Sequence, residues 1–146
     1  MKKFQFPLDR VLDWRRTQAR MEQIKLQRML AELRQLELQA ASVLGEREAA
    51  QRAVVQSSSS LGSELQTFSS YRTASAKRSA ALERDRSASL ERISAQREVL
   101  SRKERDVRLL EKLREDRLRQ WVQEQDREID QQAAESHLGR WGKGQI

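Results

Sequence analysis

Between Ser63 and Leu138 the chain reads SELQTFSSYRTASAKRSAALERDRSASLERISAQREVLSRKERDVRLLEKLREDRLRQWVQEQDREIDQQAAESHL, with no glycine and no proline. Those are the two residues that most reliably interrupt a helix. The stretch is built from Arg, Glu, Ala, Leu, Gln and Lys, which lose little side-chain freedom in a helix. At about 1.5 Å per residue, most of it as one helix spans on the order of 100 Å. No globular domain of this size contains such an element, so the rest of the chain reads as what covers it.

Composition points the same way. Of 146 residues, 37% are apolar, 35% charged and 5% aromatic. That is too little bulk for a two-layer core and fits a coiled coil. No cysteine is present, which excludes disulfides and suits a cytosolic setting. No apolar run approaches a membrane span, and the N-terminus lacks a signal-peptide core, so a soluble protein is expected.

The formal charge of +7 is spread widely. Residues 1–60 carry 11 Lys/Arg against 7 Asp/Glu, and residues 61–146 carry 18 against 15. Acids and bases alternate, and Glu48/Arg52, Glu98/Arg102, Glu104/Arg108 and Glu115/Arg119 stand four apart with the acid first, the order that supports a helix. Such a surface is largely self-paired. Its surplus is arginine, which suits carboxylate-rich partners.

Working outward, Pro7 is the only proline and suits the first turn of a helix. A heptad stripe then starts. Leu12, Ala19, Leu26, Leu33, Ala40 and Val54 share one position, broken by Arg47. Leu8, Met29, Leu36, Val43 and Ala50 share its companion, broken by Arg15 and Glu22. A 3.5-residue average over seven heptads marks a coiled-coil seam. Val11, Trp14, Met21, Ile24 and Leu30 widen it toward the N-terminus.

The stripe stops at Gln56, where a serine-glycine cluster, Ser57–Ser63, makes the turn. Ser63 and Gln66 have capping-box spacing for a second helix. Thr73–Ser79 is the alternative turn. The second stripe is looser: Leu65, Phe68, Leu82, Leu90, Ile93, Leu100, Val107, Leu110, Leu113 and Trp121, interrupted by Arg86, Gln96 and Lys103. The expected architecture is all-α, a long antiparallel two-helix coiled-coil hairpin with an overhanging C-terminal helix. Helix 1 covers about 7–56, the turn about 57–63, helix 2 about 64–135 and a flexible tail 136–146. Helices joined by a short loop pack antiparallel, so facing residues have numbers summing to roughly 120. Leu8 then lies near Lys112. Leu118, Trp121, Val122 and Ile129 sit beyond the first helix without an intramolecular partner, the arrangement of a contact site.

Motifs for chemistry are scarce. His137 is the only histidine and reads as solvated. Without cysteine or clustered histidine no zinc set can form, and Gly142-Lys143-Gly144 lacks the rest of a phosphate loop. A non-enzymatic protein with no cofactor and no metal is expected.

The ends resemble a family. Phe4-Gln5-Phe6-Pro7-Leu8-Asp9-Arg10-Val11-Leu12-Asp13-Trp14-Arg15 is similar to the opening of FliJ-type proteins of the bacterial flagellar (type III) export apparatus. Val107-Arg108-Leu109-Leu110-Glu111-Lys112-Leu113-Arg114-Glu115, followed by a charged run to Glu135, resembles that family's later segment. The resemblance implies a cytoplasmic coiled coil shaped like the central stalk of rotary ATPases. It implies insertion into the hexameric flagellar export ATPase, and contact with the export gate's membrane protein and with export chaperones. Association with the inner membrane's cytoplasmic face would run through those partners. By position, Phe4, Phe6, Leu8, Val11, Leu12, Trp14, Leu110, Leu113, Leu118 and Trp121 would face the ATPase, and Phe68 and Tyr71 the gate. No nucleic acid is expected on this reading. The competing readings are a self-assembling coiled-coil scaffold and a basic helical hairpin that binds nucleic acid. Interleaved acids and the lack of stacking aromatics along a basic stripe weigh against the last.

Overall fold

The computed structural model describes residues 2–57 and 62–144. They form two helices, α1 (Asp9–Gln56, 48 residues) and α2 (Gly62–Lys143, 82 residues), with no strand among the described residues. The chain forms two compact units, one of Met1–Arg20 with Ser101–Ile146 and one of Met21–Leu100. In each unit a segment of α1 packs antiparallel on a segment of α2.

The register follows from the pairs that cross the seam. In the first unit Asp9 meets Arg114 at 3.3 Å and Arg15 meets Asp106 at 3.4 Å. In the second, Glu22 meets Gln96 and Glu37 meets Arg86. The paired numbers sum to 123, 121, 118 and 123, the spacing expected of antiparallel helices with a turn near residue 60.

On α1 the expected seam is the observed one. From Leu12 to Val54 every residue of both heptad positions is at least partly covered, including the polar breaks Arg15, Glu22 and Arg47. On α2 the seam runs through Phe68, Ser75, Leu82, Ser89 and Gln96, with Ser79, Arg86, Ile93 and Leu100 on the companion position. Lys103, Val107 and Leu110 continue it in the first unit. Arg86, Gln96 and Lys103 are therefore seam residues, while Leu90 lies off it and Leu65, two heptads before Ser79, is on the companion position but exposed. Ser75 and Ser89 are buried at these positions, so the seam of α2 is not an apolar stripe throughout.

Only five apolar side chains are deeply buried among the described residues: Phe6, Leu12, Val43, Leu82 and Ile93. Against that thin core one polar contact stands out. Gln96 Nε2 donates to the Glu22 backbone carbonyl at 3.0 Å and to Glu22 Oε2 at 2.6 Å. The Glu22 carboxylate also takes Lys25 at 3.3 Å. A polar pair in a coiled-coil seam fixes register, because any slip breaks both hydrogen bonds of the Gln96 amide to Glu22.

The helix ends depart from expectation. α1 begins at Asp9 rather than residue 7, because Asp9 N–H closes a turn onto the Phe6 carbonyl at 3.1 Å over Pro7 and Leu8. Helix 2 starts at Gly62, so Ser63 lies inside its first turn, where its carbonyl accepts from Thr67 Oγ1 at 2.9 Å. Of the expected turn, residues 58–61 lie outside the described residues. The alternative turn at Thr73–Ser79 is helix throughout. The expected flexible tail is helical to Lys143. A helix already nucleated by packing extends residue by residue at little cost, and Arg140 and Lys143 in its last turn complement the dipole. Gly139 and Gly142, each about 1 kcal/mol less favourable than alanine, weaken that end without stopping it.

Gln96→Ala removes the hydrogen bonds to the Glu22 carbonyl and carboxylate across the seam and is expected to cost about 1–3 kcal/mol. Replacing both partners, Glu22→Leu with Gln96→Leu, should recover that loss or exceed it. Urea denaturation of the three proteins checks the pair: equal midpoints for wild type and Gln96→Ala would remove its structural role.

Candidate partner-binding surface

The surface is built where the N-terminal segment meets α2, inside the first unit. Pro7 disfavours helix for the residue before it, so residues 2–6 approach as a non-helical segment. The alternation of Phe4 and Phe6 then gives them different environments. Phe6 is buried, 5% exposed, as is Leu12 at 1%. Phe4 is half-buried and leans on α2. Its ring centroid lies 6.1 Å from that of Trp121, tilted by 56°, a favourable aromatic geometry.

Arg114 joins these parts. Its guanidinium sits 5.9 Å from the Phe4 ring centroid, and its Nε is 3.3 Å from Asp9 Oδ1. It thus ties the first residue of α1 and the approaching segment to one turn of α2. Arg16 binds Glu111 at 3.0 Å on the same side, and Arg15 binds Asp106 while lying 5.1 Å from the Trp14 ring centroid. These ion pairs are all substantially exposed, so each contributes about 0–1 kcal/mol and fixes alignment more than stability. Between the segment and α2 remains an open groove of about 400 Å³, lined among others by Phe4, Phe6, Leu8, Leu113, Gln120 and Trp121.

The ten residues expected to face an ATPase separate into three groups. Phe6 and Leu12 are core. Phe4, Leu110 and Trp121 are half-buried. Leu8, Val11, Trp14, Leu113 and Leu118 are exposed, Trp14 at 54%. Trp121 was expected to lack an intramolecular partner; it has one in Phe4. Uncovered helix begins further on: every described residue from Asp126 to Gly144 is exposed, including Ile129, Leu138 and Trp141. Leu138 and Trp141 escaped the sequence reading because the glycines beside them signalled a tail. Arg114 escaped it because an arginine in a charged run carries no mark of its neighbours.

Phe68 and Tyr71 belong to the second unit. With Ala50, Ala53, Val54 and Thr67 they line an open, largely apolar groove of about 480 Å³. Phe68 is half-buried on a seam position, whereas Tyr71 is exposed.

Among the described residues no three His, Asp or Glu side chains gather as a metal site, and no helix is long and apolar enough to cross a membrane. Comparison with protein-family models, with curated proteins and with solved structures finds no match for this chain.

Separating core from contact is directly measurable. Leu12→Ala should destabilise by about 3 kcal/mol, as expected for a fully buried leucine. Trp14→Ala, despite its larger side chain, should cost under about 1 kcal/mol because it is exposed and its ring contact is to the Arg15 guanidinium. Urea midpoints of both variants check this; a larger loss for Trp14→Ala would place it in the core.

Proposed function

We propose that the protein is a non-enzymatic stalk and adaptor in bacterial flagellar protein export. It binds the export ATPase ring through its terminal end, and links the ring to the export gate and to chaperones at the cytoplasmic face of the inner membrane. The observation that carries this reading is the unequal length of the helices. α2 continues past the start of α1 and the Phe4 contact as a helix exposed on all sides, yet it keeps Ile129, Leu138 and Trp141. A lone helix gains no stability from such side chains in water, whereas a partner that covers them gains their burial.

The exposed Leu8, Val11 and Trp14 at the same end of α1 add a second apolar shoulder in the same unit. The resemblance of the Phe4–Arg15 and Val107–Glu115 segments to FliJ-type proteins supplies the identity of the partners. Phe68 and Tyr71, on the groove beside Ala50 and Val54, are the proposed gate contact.

Purified protein mixed with the flagellar export ATPase of the same cell should promote hexamer formation and raise ATP turnover several-fold. Ile129→Asp combined with Trp141→Ala should abolish that response, with helix content unchanged by circular dichroism. An ATPase indifferent to the wild-type chain, in both assembly and turnover, would overturn the reading.

A further inference from the structure

We infer that residues 2–8 form a displaceable strap, which masks the Trp121 face of α2 until a partner takes its place. The inference rests on the proposed function in one respect: the displacing partner is the one that docks at this end.

The strap is held unevenly. Its backbone contacts to α1 lie at its inner end only, Asp9 N–H to the Phe6 carbonyl and Leu12 N–H to the Leu8 carbonyl, and Pro7 has no N–H to add. Everything else is side chain. Phe6 is buried, while Phe4, two residues further out, is half-buried and rests on Trp121 and under Arg114. The segment can therefore peel away as far as Phe6 without breaking a backbone ladder.

What it covers is distinctive as well. After Trp121 the α2 seam positions hold Glu124, Glu128, Gln131 and Glu135, and the next apolar residue on them, Leu138, comes 17 residues later. A helix partner for Trp121 would have to continue α1 backward, but α1 starts at Asp9, opposite Arg114. The covering is done by an irregular segment instead. It leaves an open groove of about 400 Å³ between itself and Leu113, Gln120 and Trp121, so the site is shielded without being closed. A partner that inserts an apolar side chain in place of Phe4 meets the Trp121 ring and the Arg114 guanidinium, which Asp9 keeps in position.

Two measurements test the strap. In a background of Trp14→Phe and Trp141→Phe, Trp121 is the only tryptophan, and its quenching by acrylamide reports its cover in the isolated protein. Phe4→Ala should raise the quenching constant about two- to threefold with helix content unchanged; an unchanged constant overturns the strap. For the second, the chain has no cysteine of its own, so Gln5→Cys with Gln120→Cys can be bridged by a cleavable bis-maleimide. With native tryptophans, the bridged protein should bind the export ATPase at least tenfold more weakly than wild type, and cleavage should restore binding. Undiminished binding by the bridged protein overturns the masking. If wild type itself fails to bind the ATPase, the proposed function falls, and the quenching result alone decides for or against the strap.

Discussion

A seam between two helices covers its side chains from one side, and the energetics of this structure follow from how thin that makes the core. In a layered domain many leucines are surrounded; here Leu12 and Ile93 are two of only five deeply buried apolar side chains among the described residues. With so few deeply buried apolar groups, alignment cannot rest on apolar contact alone, since one leucine fits a neighbouring hole almost as well as its own. The Glu22–Gln96 contact supplies the discrimination, because its hydrogen bonds are satisfied in one register only. The ion pairs Asp9–Arg114, Arg15–Asp106 and Glu37–Arg86 repeat that register at other points, each weakly.

This division of labour explains which parts of the fold were legible in the sequence. On α1 the apolar heptad was regular enough that even its gaps, Arg15, Glu22 and Arg47, fell on covered positions. On α2 the seam alternates large residues with serine, and an apolar tally passes over Ser75, Ser79 and Ser89 while it admits the exposed Leu65 and Leu90. Phe68, Leu82, Gln96 and Leu110 lie at multiples of seven from one another, and reading the interval rather than the hydrophobicity would have found them. The end of α2 was misjudged for a related reason. Gly139 and Gly142 lower local helix propensity, but propensity decides little where packing upstream has already paid for nucleation.

The candidate site was half legible. Phe4, Phe6 and Trp121 were each singled out, but the contact between Phe4 and Trp121 was not foreseen. The facing-residue arithmetic assumes that both strands of the hairpin rise at the helical rate. A helix gains about 1.5 Å per residue, whereas non-helical chain can gain more than twice that. From the Asp9–Arg114 pair, five residues of N-terminal chain therefore suffice to reach Trp121, seven residues along α2. The break that Pro7 imposes is what makes this reach possible. Had α1 extended back to residue 4, Phe4 would have stopped short of Trp121.

Cover over α2 thus falls in three steps inside the first unit: helix against helix up to Arg114, irregular chain over Trp121, and none beyond Gln125. Each step changes what the side chains can do. Where α1 covers the seam, apolar residues contribute stability and are closed to partners. Beyond Gln125, Ile129, Leu138 and Trp141 contribute little to the folded state and remain open to any surface that can remove them from water. Trp121 sits between the two regimes, covered by a side chain whose own backbone is barely held. A residue in that position serves both purposes: it steadies the end of the seam in the free protein, and it is the first apolar group gained when α1's leading segment gives way. The same contact that limits fraying of the thin seam therefore sets the threshold a partner must exceed at this end, and Phe4 is the residue through which both are tuned.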